Sequence, residues 1–169
     1  KSSAASDVYK RQRYYTNFDS VYGESMRRLL PYASIILPNI TEGCLLTGDF
    51  YSENMTQETL LAICQDLEKF GAKKIVMTSV PCSFGKKGIV LYENEQFQLF
   101  EKESLSSEYH GTGDTFDGVF VGAYLNGHTL AEALELAHQF VYACMQESDR
   151  YDYEEREGLI IERNLHMLV

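Results

Sequence analysis

Gly111-Thr112-Gly113-Asp114 sets two glycines and a carboxylate directly ahead of a long apolar-patterned run. Glycine at 111 and 113 permits backbone angles closed to other residues and lets a ligand approach the main chain. Ahead of a helix, the amides of such a turn add to the positive end of the helix dipole. They make an anion nest that needs no basic side chain. Asp114 is the odd member, because a carboxylate beside a phosphate repels it unless it takes part in the reaction. The role that fits is a general base, removing a proton from a hydroxyl as it attacks a γ-phosphoryl group. The same residues also make an ordinary helix start with Asp114 at or near the N-cap. They are not a Walker loop, since Lys-Ser/Thr after the second glycine is absent. Nor are they a dinucleotide fingerprint, which needs a strand-GxGxxG-helix unit.

Two further groups bear on the same chemistry. In "PNITE", Asn39 and Glu42 stand three apart at the mouth of a short helix after a buried strand. Ligands of open α/β sheets sit at the carboxyl ends of parallel strands. A Glu there can hold Mg²⁺ through water, and an Asn can bind phosphate or the metal shell. The spacing is equally that of a capping pair. In "MTS", Thr78 and Ser79 end the next strand, where two hydroxyls can meet a nucleotide.

The elements that must position these groups follow from the apolar spacing. Val21, Tyr22, Met26, Leu29 and Leu30 predict a helix between Phe18 and Tyr32, closed by Pro31. Ile35, Ile36 and Leu37 read as a short buried strand stopped by Pro38. "TEGCLLTG" is a short helix with Asn39 or Thr41 as cap and Gly48 after its end. A stronger helix begins at the cap Thr56, carries Leu60, Leu61, Ile63, Cys64, Leu67 and Phe70 on its apolar face, and stops at Gly71. "KKIVMTS" is the next buried strand. This alternation predicts a parallel sheet covered by helices. Beyond Gly85, two strand-like runs around Glu93-Asn94-Glu95 predict a hairpin. A helix from about Asp114 to Asn126 follows, then a second amphipathic helix with Leu130, Ala133, Leu134, Ala137, Val141 and Cys144 on its buried side.

The chain has 169 residues, 44% hydrophobic and 24% charged, which suits one domain with a real core. A net charge of -10 and the lack of a Lys/Arg stripe argue against nucleic-acid binding. Cys44, Cys64, Cys82 and Cys144 are scattered without a CxxC pair, as reduced and mostly buried thiols. No apolar run approaches the length of a membrane span. Residues 1–12, "KSSAASDVYKRQ", lack apolar periodicity and resemble translated linker sequence, so they read as a non-native or disordered tail.

N-x-x-E, a strand ending in Thr-Ser, and GTGD before a long helix, in that order, resemble the ribokinase-like kinase superfamily. "ILPNITEGCLLTG" and "EEREGLIIERNL" narrow the resemblance to pyridoxal/pyridoxamine (vitamin B6) kinases, over residues 18–169 or so. The resemblance implies a three-layer α/β/α sandwich with a mostly parallel sheet. It implies ATP-dependent phosphorylation of the 5′-hydroxymethyl of pyridoxal, pyridoxamine or pyridoxine in a cytoplasmic homodimer, with ATP and Mg²⁺. By the same resemblance Asp114 is the base, and Gly111, Thr112 and Gly113 form the anion hole. Asn39, Thr78, Ser79 and Thr112 bind ATP, and Glu42 serves the metal. The hairpin from Gly88 to Phe100 and the loop before Tyr109 help cover ATP. Small-molecule substrates are expected, and neither nucleic acid nor membrane.

Family members are longer at the N-terminus, so the resemblance makes residues 13–169 a C-terminal ATP-binding part, inactive alone. His110 stands where a small residue or proline is expected, and one exposed loop His is more often incidental than an acid–base group. The alternatives are a hydroxymethylpyrimidine or sugar kinase of the same superfamily, or a non-catalytic nucleotide-binding fragment. Against the pyrimidine reading, such enzymes tend to carry Cys after the second glycine, where this chain has Asp114.

Overall fold

The computed structural model describes residues 20–82, 86–103, 105, 107 and 109–169; residues 1–12 lie outside this set. The chain divides into two compact units, Lys1–Lys102 and Glu103–Val169.

In the first unit, helix α1 is Ser20–Arg27 and a 3₁₀ turn follows at Leu30–Tyr32. Pro31 explains the change: it has no N–H to continue the α-helical ladder, and a proline is tolerated at the start of the new turn. The segment expected as a strand, 35–37, makes one isolated parallel bridge instead, Ile36 to Ile75, and a second follows beyond it, Asn39 to Thr78. Ile36 N–H donates to Lys74 O, and Ile36 O and Pro38 O accept from Val76 and Thr78 N–H, all at 2.9 Å. Pro38 cannot donate the remaining bond, which keeps the pairing from becoming a full ladder.

Helix α2, Ile40–Thr47, begins in a reciprocal cap. Asn39 Oδ1 accepts from Glu42 N–H at 2.9 Å, and Glu42 Oε2 accepts from Asn39 N–H at 3.0 Å. Helix α3, Gln57–Lys69, starts at Thr56 and buries Leu60, Ile63, Cys64 and Leu67. Strands β1 (Lys74–Pro81), β2 (Lys87–Glu93) and β3 (Gln96–Lys102) form a meander in that order, both pairs antiparallel. Parallel pairing among the described residues is thus confined to the two bridges beside β1, whereas the expected hairpin is present as β2–β3. Its turn residues, Asn94 and Glu95, both have positive φ, the twist a two-residue hairpin favours. Ile75, Val76 and Met77 are all fully buried, which is why β1 reads as a continuous apolar run.

Tyr92 on β2 is 2% exposed, and its hydroxyl donates to Glu68 Oε2 at 2.7 Å. Burial, reinforced by that carboxylate, pushes the phenol from 10.0 up to about 12. An unfolded tyrosine ionises near 10. The folded state therefore holds its proton longer, and this contribution to stability is complete below pH 10 and lost between pH 10 and about 12. Burial likewise raises the Cys44 and Cys64 thiols from 9.0 to about 12, so their share of the decline begins near pH 9. Urea unfolding at stepped pH should show stability falling from about pH 9. Tyr92→Phe should flatten only the part above pH 10. An unchanged slope above pH 10 in that variant would contradict the assignment.

The second unit is built on two paired helices, α4 (Thr112–Leu125) and α5 (Leu130–Ser148). Phe116, Phe120 and Ala123 of α4 are buried, as are Leu134, Ala137 and Phe140 of α5. Thr129 and Glu132 form a second reciprocal cap at the start of α5. Short 3₁₀ turns follow at Glu155–Glu157 and Glu162–Leu168. The Ser148 hydroxyl, fully buried at the end of α5, accepts the Ile160 N–H at 2.9 Å and ties the terminal segment to the helix. All four cysteines are free, and Cys44, Cys64 and Cys144 are buried. Among the described residues no helix is long and apolar enough to cross a membrane.

Candidate active site

The first unit carries Asn39, Glu42, Thr78 and Ser79. The parallel bridge sets Asn39 against Thr78, and the α2 cap ties Asn39 to Glu42. These three are therefore brought together at the carboxyl end of the 35–39 segment, the place where open α/β sheets bind ligands. Ser79 is exposed at φ 57°, where the β1–β2 register shifts between Met77 and Val80. A bulge of this kind re-aims a side chain out of the ladder, and a non-glycine residue at positive φ stores local strain.

Glu42 is half-buried. It borders a groove of about 320 Å³ whose other walls include Met26, Leu30, Ile36, Leu37 and Leu45. The capping pair foreseen as an alternative is real, so Glu42 has a structural role whatever else it does. No cluster of three or more metal-binding side chains occurs among the described residues. A magnesium ion bound with substrate phosphates asks for only one or two carboxylates, so the single Glu42 suits that ion and not an all-protein cage.

The second unit carries the glycine turn. Gly111 is the N-cap of α4 at φ 79°, ψ 5°, a left-handed conformation costly for residues with a Cβ. Its carbonyl accepts both Thr115 N–H at 2.9 Å and Thr115 Oγ1 at 2.8 Å. The amides of Thr112, Gly113 and Asp114 precede that first helical bond, so the helix supplies them with no carbonyl. Gly111 has no side chain to cap the turn. A Cβ built at Gly111 or Gly113 would meet nothing within 4 Å, so open space lies beside these amides. That room, next to orphan donors at a positive helix end, suits a phosphate group.

The helix begins two residues earlier than its expected start at Asp114. Asp114 is the exposed third residue of α4, in the first turn, and the cap position belongs to Gly111. His110 is exposed and its N–H donates to Glu155 O at 3.1 Å. Sequence reasoning passed over the residues that hold this approach, Tyr109, Asp149 and Tyr153. Their contacts join positions about 40 apart, and no local pattern marks such pairs.

Comparison with known proteins places this architecture. The family model for phosphomethylpyrimidine kinase matches residues 17–158. The pyridoxine kinase of Bacillus subtilis (strain 168) is 29% identical, the match covering 72% of this chain and 45% of that protein. The hydroxymethylpyrimidine/phosphomethylpyrimidine kinase of Staphylococcus aureus (strain Mu50) is 27% identical, covering 78% and 51%. Among solved structures, pyridoxal kinase from Lactobacillus plantarum superposes with a TM-score of 0.80 at 30% identity, over 91% of this chain and 55% of its own. A Bacteroides thetaiotaomicron protein assigned as a phosphomethylpyrimidine kinase, in its crystal form with pyridoxal, gives 0.83 at 34% identity, over 91% and 55%. The chain spans about half the length of the curated relatives it matches. The family model matched over residues 17–158, with an α/β fold that superposes on these kinases, makes the chain a member of the phosphomethylpyrimidine kinase family, within the ribokinase-like superfamily.

Proposed function

We propose that this chain carries the phosphate-handling part of a vitamin B6 kinase, which transfers the γ-phosphoryl group of ATP to the 5′-hydroxymethyl of pyridoxal, pyridoxamine or pyridoxine. The observation that carries the reading is the turn at Gly111–Asp114: uncapped amides with open space beside them and a carboxylate in the first turn. In this reading the Thr112 and Gly113 amides hold the transferring phosphate, and the Thr112 side chain borders the nucleotide. Preorganised donors of this kind stabilise the charge that builds up during phosphoryl transfer. Asp114 takes the proton of the acceptor hydroxyl, so the oxygen attacks as it loses its hydrogen. Asn39, Thr78 and Ser79 contribute polar groups to the nucleotide, and Glu42 would hold Mg²⁺. When bound, that ion neutralises phosphate charge.

ATP use is supported by solved relatives described as complexes with ADP and AMP-PCP. Family membership alone supports a second reading, phosphorylation of hydroxymethylpyrimidine or its monophosphate. Asp114 favours the vitamin B6 reading, because the resembling pyrimidine kinases tend to place Cys there. The test is a coupled ATP assay on the polypeptide in its full native length. Pyridoxal, pyridoxamine, pyridoxine, hydroxymethylpyrimidine and its phosphate are each supplied as acceptor. The expected result is a kcat/KM for at least one B6 vitamer about tenfold or more above that for either pyrimidine, a preference of about 1.4 kcal/mol. A pyrimidine preference of that size overturns the reading.

A further inference from the structure

The turn at Gly111 presents a mechanical problem. A glycine reaches its φ of 79° without steric cost but does not hold it against the other angles open to it, and it has no side chain with which to cap α4. Within the turn, the bonds from Thr115 to Gly111 O fasten it locally. The remaining fastening comes from far along the chain. Tyr109, 7% exposed, donates its hydroxyl to Asp149 Oδ1 at 2.9 Å. Its ring stacks on Tyr153, with centroids 5.8 Å apart and planes 25° off parallel. Tyr153 donates in turn to Gly158 O at 2.8 Å. The next residue, His110, donates its N–H to Glu155 O at 3.1 Å, and a Cβ on Gly158 would come within 3.4 Å of His110 O. The segment itself is anchored behind by Ser148 through Ile160.

We infer that residues 149–158 form a strut that sets the direction in which the chain enters the Gly111–Asp114 turn, with Tyr109 as the positioning residue through which it acts. The inference rests on the kinase reading for its consequence, though not for its geometry. The strut touches residues 109 and 110, immediately before the turn, and therefore fixes where the first-turn amides and Asp114 point. Phosphoryl transfer depends on such placement, and small misplacements cost large factors in rate. Burial and the neighbouring Asp149 raise the Tyr109 phenol to about 12, so the donor proton is retained throughout the neutral range.

The test pairs hydrogen exchange with kinetics on the full-length protein. Tyr109→Phe removes the donor and keeps the ring. Asp149→Ala removes the acceptor, and Asp149→Asn restores one. In Tyr109→Phe and Asp149→Ala, the hydrogen-bonded amides of His110 and Thr115 should exchange about tenfold faster while the centre of α5 is unchanged. In the same two variants kcat should fall on the order of tenfold with KM for ATP moved less than about twofold. The double variant should match either single one, because both remove the same bond. Asp149→Asn should lie near the parent. Should Tyr109→Phe fail to fold, the Asp149 pair carries the comparison alone.

Unchanged exchange at His110 and Thr115, a rise spread evenly over both helices, or an altered exchange with unaltered kcat would each overturn the strut. Asp114→Asn separates the two ideas. If it stays active while Tyr109→Phe loosens the turn, the assignment of Asp114 as base fails and the strut geometry survives. If it is inactive while Tyr109→Phe behaves as parent in both measurements, the strut alone fails.

Discussion

Asp114→Asn is expected to lower pyridoxal phosphorylation by about 10³-fold in the full-length protein, the range spanned by a lost general base. Binding of ATP should hold or tighten slightly. The reason is electrostatic: Asp114 sits in the first turn of α4, where the neighbouring amides attract anions. A carboxylate there opposes a phosphate, so replacing it with a neutral isostere removes repulsion while leaving the Thr112 and Gly113 amides in place. Rate and affinity should therefore move in opposite senses, a pattern that a merely structural aspartate does not give. Asp114→Glu should recover little, since an added methylene displaces the base from the hydroxyl it serves. Rapid-quench turnover and nucleotide titration on the same preparation check both halves. A variant retaining more than about a tenth of parental turnover overturns the base assignment.

Gly71→Ala is expected to cost about 3 kcal/mol, a large part of a typical domain stability. Two effects add. Gly71 has φ 103°, a conformation that residues with a Cβ rarely adopt. The new methyl would also stand 2.7 Å from Pro31 Cγ and 3.1 Å from Pro31 Cα. A long side chain rotates away from such a contact, but a proline ring and its own backbone cannot. Yielding would push the 3₁₀ turn at Leu30–Tyr32 and with it the core residue Leu30. Gly122→Ala is the matched comparison: it lies inside α4 with no atom within 4 Å of the added Cβ. That change should stabilise by about 0.5–1 kcal/mol through helix propensity. Urea unfolding midpoints of the two variants should move in opposite directions, and a parental midpoint for Gly71→Ala would contradict the packing argument.

Much of this architecture is written locally. Thr56 and Asn39 announce helix starts because a side-chain oxygen must meet an orphan amide, and the structure uses both. The hairpin around Asn94 and Glu95 follows from two apolar runs with a polar pair between them. Segment 35–37 has the composition of a strand, while Pro38 removes the donor a ladder needs. The parallel direction expected between that segment and β1 is present in the bridges Ile36–Ile75 and Asn39–Thr78, while β2 adds an antiparallel neighbour on the other side. A fully buried β1 resembles a parallel core strand whether its neighbour runs with it or against it. The start of α4 was placed late because Gly111 caps through its backbone and leaves no side-chain signature. Within the candidate site, residue types were legible but the fastening of Tyr109 to Asp149 was not. A hydrogen bond across 40 residues has no period.

The bond from His110 to Glu155, and the anchor from Ser148 to Ile160 behind it, bear on how this turn can be transplanted. A chimera that borrows only Gly111–Asp114 from a relative imports the glycines without the brace that sets their bearing. The smallest exchangeable module runs from Tyr109 to Ile160, so the second of the paired helices and much of the tail must travel with a loop four residues long.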